Sequence, residues 1–303
     1  MSVYGPMLDA LRGVRWPARR AVGAAPPGTH RSSQKGTAGE FTEYRLYRQG
    51  DDPRALDWRL LARSDRAFVR LSDDRALLPT WIVVDGSARM AFPDATSARG
   101  GEALTKFAFA RQVAVGLAAV AHASSDPVGV MVSHGGSVQR LPPRTRRGTV
   151  QEIARVLEGV TAGGAAALAP ALAPALVQLP TQARIVLITD CLGDTDALLK
   201  AAAAHQAAGA LIECVHIVAV EELVPPAGPF LVNDPQAPND TRVLSRASRV
   251  EYRVRFDAFR RDLASRWRAT GAGYTEVRTD VPPARAVRAV VMGLALPTGD
   301  GAP

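Results

Sequence analysis

The chain has 303 residues, enough for one large or two small domains, and its 47% hydrophobic and 22% charged residues are an ordinary globular balance. No apolar run reaches the length of a membrane span, the start lacks an apolar leader core, and there are two cysteines, Cys191 and Cys214. A membrane helix, secretion and a disulfide framework are therefore not expected, and a cytoplasmic protein with buried thiols is. The net charge of +8 is almost all arginine, because the lysines are Lys35, Lys106 and Lys200. Paired carboxylates, phosphate contacts and a GC-rich genome each account for that bias.

Residues 1–38 are rich in Pro, Gly, Ser and Arg and lack a periodic apolar face, so a loosely ordered basic segment is expected. Residues 39–75 form a compact charged unit. Within it Asp52-Pro53 reads as a helix start, with Asp52 as N-cap and Pro53 at the first helical position. Glu43, Arg45 and Tyr47 alternate on one side of a strand just upstream. From Thr80 the texture changes. TWIVVD (80–85) is a β-branched apolar run ending in Asp, as expected of a strand buried on both faces.

A long apolar helix over 101–124 follows, then a strand at 126–133 and an edge strand with prolines at 137–143. Residues 148–160 are helical, with Val150, Ile153, Val156 and Leu157 on one face. The Ala-rich stretch 162–176 holds prolines that should limit it to short helical pieces. ARIVLITD (183–190) is a second buried strand ending in Asp, followed by a helix at 194–209 and a strand at 210–220. Residues 224–250 read as an insertion. A basic amphipathic helix at 251–271, with Val254, Phe256, Phe259, Leu263 and Trp267 facing the sheet, precedes a strand at 273–280 and a helix at 283–293. Strands alternating with helices predict an α/β fold with a doubly wound, mostly parallel sheet over 76–295, beside the small charged unit.

Strands ending VVDGSARM and LITD, in this β/α order, resemble a von Willebrand factor A domain. The block EFTEYRLYRQGDDPRALDWR, continued by ARSDRAFVR, is similar to the bacterial domain-of-unknown-function family fifty-eight, and the similarity runs over roughly residues 28–290. The resemblance implies a cytoplasmic, non-enzymatic A-domain protein that works with a MoxR-type AAA+ ATPase in assembling or maturing other proteins.

It also implies where a metal-ion-dependent adhesion site would lie. Doubly wound sheets bind ligands where their strand order reverses, and aspartates and hydroxyls there suit Mg²⁺. Asp85, Ser87 and Asp190 match the family pattern, but Arg89 stands at the second serine position and Ala165 at the threonine position. Three readings stand open: a degenerate site in which Arg89 neutralises Asp85 and Asp190, an Arg89 facing solvent, and a working Mg²⁺ site completed by waters. The expectation is no cofactor.

The charged block, with Arg45, Tyr47, Gly50, Asp51, Asp52, Arg54, Asp57, Trp58 and Arg63, has three readings as well. A buried clasp would put Trp58 inside and pair Asp57 with Arg45, Arg54 or Arg63. That clasp would offer its Gly50-Asp51-Asp52 turn to a partner, whereas the second reading makes the whole block an exposed face that binds a protein partner. Nucleic acid is disfavoured because acids interleave with the bases. Catalysis finds little support: the five histidines lack metal-ligand spacing, and neither a G-x-S-x-G elbow nor a phosphate loop occurs. The expected function is an adaptor with a degenerate metal site. The alternatives are a nucleic-acid-associated protein and, after it, a hydrolase using the cleft between Asp85 and Asp190.

Overall fold

The computed structural model describes residues 4–17, 27–36, 40–48, 56–64, 66–93, 104–164, 168–193, 195–225, 230–234 and 237–296. Its centre is a six-stranded sheet. In chain order the strands are β4 (Thr80–Asp85), β5 (Val128–His134), β6 (Ser137–Arg144), β7 (Arg184–Thr189), β8 (Leu211–Val218) and β11 (Gly273–Arg278). Across the sheet they run β11-β8-β7-β4-β5-β6, all parallel except the edge strand β6, which is antiparallel to β5. This is the doubly wound α/β architecture that the alternating pattern predicts.

Both faces are covered. On one, α1 (Gly5–Ala10), α3 (Lys106–Ala123), α4 (Thr149–Glu158) and α9 (Pro283–Met292) pack on Ile82, Val84, Val130, Val186 and Val215. On the other, α5 (Leu168–Val177), α6 (Asp196–Ala207) and α8 (Arg246–Ala269) pack on Trp81, Val83, Met131, Ile185 and Cys214. Alternate residues of β4 and β7 thus serve two cores, which is why these strands read as unbroken apolar runs. The two thiols are buried and 3.8 Å apart.

Four expectations are corrected. Residues 4–17 of the segment read as loose are packed, with Tyr4, Leu11 and Trp16 buried in the core. Trp16 lies 4.2 Å from the Arg184 guanidinium, which also reaches the Trp16 carbonyl (3.1 Å) and the buried Asp126 (3.5 Å). A cation–π contact and an ion pair thus fix the chain's start beneath the N-terminal ends of the strands. Helix α5 continues over ten residues through Pro174. Helix α8 begins five residues earlier than its pattern suggested and leaves Val254 65% exposed, while Phe256, Leu263 and Trp267 are buried. Finally, the stretch read as an insertion contains an antiparallel hairpin, β9 (Phe230–Asp234) and β10 (Ala237–Leu244), and runs into that helix.

The N-terminal unit is a separate three-stranded antiparallel sheet, ordered β1-β3-β2, from β1 (Pro27–Gly36), β2 (Glu40–Leu46) and β3 (Phe68–Ala76). It therefore starts well before residue 39. Three residues separate β3 from β4, and in that joint the Leu78 N–H donates to Asp126 (3.1 Å), so the unit springs from the N-terminal edge of the large sheet.

Candidate functional site

The strand order reverses between β4 and β7, and the two strands end in the aspartates that their sequences announced. Asp85 closes β4 and Asp190 follows β7 directly; both are buried. Gly86 turns the chain away from β4, and a side chain there would bring Cβ within 2.2 Å of the Ser133 carbonyl oxygen. That close approach is what the Gly in DGS is for. The loop before Ala165 arrives at the same end, since the Gly163 N–H donates to the Gly86 carbonyl (3.0 Å). Ala165 itself lies outside the described residues.

Each aspartate oxygen already has a donor. The Ser87 N–H donates to Asp85 Oδ1 (2.8 Å) and the Thr189 hydroxyl to Asp85 Oδ2 (2.9 Å). The Leu192 N–H donates to Asp190 Oδ1 (3.0 Å), and Asp190 Oδ2 receives the Lys106 ammonium at 2.7 Å. Lys106 was not anticipated. It is the first residue of α3, only 1% exposed, and also bonds Glu222 Oε1 at 2.7 Å. Glu222 sits on α7 (Val220–Leu223), where its other oxygen accepts from the Ala219 N–H (2.8 Å). Thr105 caps α3 by accepting from the Ala108 N–H.

The cluster is short of positive charge: Asp190 and Glu222 share one ammonium, while the buried Asp85 is held by N–H and hydroxyl donors alone. Burial, and then the Asp190 charge, push Asp85 up to about 6. Burial likewise raises Glu222 against the pull of Lys106. For Lys106 burial works downwards, but the Asp190 and Glu222 carboxylates outweigh it and hold the ammonium above the ordinary lysine value. Beyond β7, burial lowers His216 to about 4; its Nδ1 lies 2.6 Å from the Tyr274 hydroxyl.

A small divalent cation needs about six oxygens free to converge on it. Here the Asp85 and Asp190 oxygens are committed to N–H and hydroxyl donors, and an ammonium holds the Asp190 oxygen. Among the described residues no group of three or more His, Cys, Asp or Glu is arranged to hold a metal. Among the described residues, the charge that meets Asp190 is the Lys106 ammonium. The half-buried Arg89 extends over Gly193 and donates to the Leu192 carbonyl (3.0 Å), so the cation bonded to Asp190 is Lys106. A cavity of about 200 Å³, lined by Trp16, Arg184, Gln206 and Gly273 among others, lies at the opposite edge of the sheet from the aspartates.

The charged block differs from its expected form. Helix α2 (Trp58–Ser64) starts at Trp58, and its cap is Asp57, not Asp52. The Asp57 carboxylate accepts from the Arg59 and Leu60 N–H groups and from the Tyr44 hydroxyl, each at 3.0 Å. Leu56 bridges Val69, which ties the segment before α2 to β3. Trp58 is 64% exposed, and Tyr44 and Leu46 are exposed on the same face of β2, so the buried clasp is not what forms. Tyr47 is half-buried and Arg63, in the last turn of α2, is exposed. Gly50, Asp51, Asp52, Arg54 and the Arg45 side chain lie outside what is described.

Comparison with known proteins finds several that the chain is similar to. The chain is 27% identical over 290 residues to an uncharacterised protein of Mycobacterium tuberculosis, across 89% of this chain and 84% of that one. In shape it is loosely similar to the conserved hypothetical protein BatB from Bacteroides thetaiotaomicron, with 17% identity and a TM-score of 0.44 over 71% of this chain and 96% of that one. The Rpn10 VWA domain gives 12% identity and a TM-score of 0.40 over 70% of this chain and 94% of that one. Among the described residues no helix is long and apolar enough to cross a membrane. Residues 43–265 match the family described as "Protein of unknown function DUF58", which takes in both the charged block and the two aspartate strands; the chain belongs to the DUF58 family.

Proposed function

We propose that this chain is a non-enzymatic, cytoplasmic adaptor that binds a protein partner without a divalent cation, and that the partner is a MoxR-type AAA+ ATPase acting in protein assembly or maturation. The observation that carries the binding role is Trp58. A tryptophan 64% exposed beside exposed Tyr44 and Leu46 has the composition of an interface hot spot and no role in the fold's core. The ATPase is suggested by the resemblance of the charged block to its family. Independence from metal is supported by the commitment of the aspartate oxygens to protein donors and Lys106. The same commitment argues against hydrolysis, because Asp85 and Asp190 are both buried and neither is free to activate a water.

The test is affinity purification of the tagged chain from its host, with and without EDTA, beside the Trp58→Ala variant. An AAA+ ATPase captured by the wild type, kept in EDTA and lost with Trp58→Ala supports the proposal. Capture that EDTA abolishes, and that Mg²⁺ restores for wild type but not for Asp85→Ala, refutes the metal-free reading, and nuclease-sensitive capture refutes the protein partner.

A further inference from the structure

Resting on the metal-free reading, we infer that Lys106 does the bridging work of a divalent cation beside the aspartate site: its ammonium joins Asp190 at the end of β7 to Glu222 on α7. The placement is otherwise hard to explain. Lys106 opens α3, where the helix dipole is positive and a cation is disfavoured. An amine at a helix start ordinarily turns to solvent, yet this one is 1% exposed and makes two short bonds, both to carboxylates from other elements.

Those bonds join three segments far apart in sequence: the start of α3, the end of β7 through Asp190, and α7 through Glu222. Bridging carboxylates from separate segments is work that a bound cation can do. A tethered ammonium does it without loss to solvent or chelators. It neutralises only one charge, whereas a divalent ion neutralises two.

The inference makes the site convertible. Lys106→Ala removes the ammonium and leaves Asp190 and Glu222 facing an opening the length of a lysine side chain. The melting temperature should fall by roughly 10 °C, and millimolar Mg²⁺ or Mn²⁺ should recover much of that fall, with Mn²⁺ binding seen directly by electron paramagnetic resonance. Wild type should show neither effect. The charge-neutral variant Lys106→Met/Asp190→Asn/Glu222→Gln should fold with no response to either ion. If Lys106→Ala folds and ignores both ions, the inference fails while the metal-free reading stands. If wild type itself binds Mn²⁺, the metal-free reading fails. Should Lys106→Ala not fold alone, refolding in Mn²⁺ replaces the melt; failure there, with the neutral variant folding, also overturns the inference.

Discussion

Two parts of the molecule are dense in charge, and they use it in opposite ways. In the N-terminal unit the acids and bases follow one another along the chain, and those described around α2 lie at or near the surface, where a pair is worth about 0–1 kcal/mol. At the C-terminal edge of the large sheet a few charges far apart in sequence meet with almost no exposure. There, removing one partner leaves the other stranded in a poorly solvated place. Density along a sequence therefore marks a surface, whereas the charges that hold the structure together are the ones three-dimensional folding brings in from distant segments.

The sharpest way to break this comparison is to neutralise Lys106. Lys106→Met keeps the length of the side chain but strands the Asp190 and Glu222 carboxylates, and a loss of about 3–5 kcal/mol is expected in denaturant titration. An effect below about 1 kcal/mol would put the cluster on a par with the surface pairs.

A smaller effect comes from Asp85. Its folded pKa of about 6 lies above the ordinary carboxyl value of 3.8, so the folded state takes up a proton that the unfolded chain does not hold. That contribution is fully present below the unfolded value and is lost as pH rises to about 6. His216 acts in the other sense: its folded pKa of about 4 lies below 6.5, so its contribution is present at higher pH and fades as pH falls toward 4. The two oppose each other in one window. Relative to Asp85→Asn, wild type should lose on the order of 2–3 kcal/mol between about pH 4 and pH 6. Parallel stability profiles for the two proteins would show that Asp85 does not titrate there.

In the N-terminal unit the effects shrink. Asp57→Ala removes the cap of α2 and the acceptor of the Tyr44 hydroxyl, and should cost about 1–2 kcal/mol, well short of a stranded buried charge. Trp58→Ala should change stability by less than about 0.5 kcal/mol while abolishing partner capture. A large fall in melting temperature for Trp58→Ala would return the buried clasp to consideration.

The sheet and its two aspartates were legible because they rest on local signals. TWIVVD and RIVLIT are six-residue apolar runs rich in β-branched side chains, and the Asp at or just after each end is fixed by position alone. The pairing of Lys106 with Glu222 was not, since 116 residues separate them. A faint signal did exist: Lys106 is one of three lysines in a chain that otherwise uses arginine, and it opens an apolar helix at its disfavoured end. Trp58 misled through size. A large aromatic is usually inside, but a three-stranded sheet with one short helix has too little mass to enclose it. The beginning of the chain misled through composition, because Tyr4, Leu11 and Trp16 are too widely spaced to form a periodic face and still find places in the core.

That packed beginning has a consequence for how the protein is made. Helix α1 rests against α3 and α9: Leu11 and Val287 both close on Gly116, and the Arg288 guanidinium donates to the Ala10 carbonyl. Helix α1 thus shares its seat with α9, a helix made about 270 residues later. Synthesis proceeds at about 5–20 residues per second, so α1 waits on the order of tens of seconds before α9 exists to complete that seat. During translation the apolar residues of α1 lack the α9 side of that seat until α9 has been made.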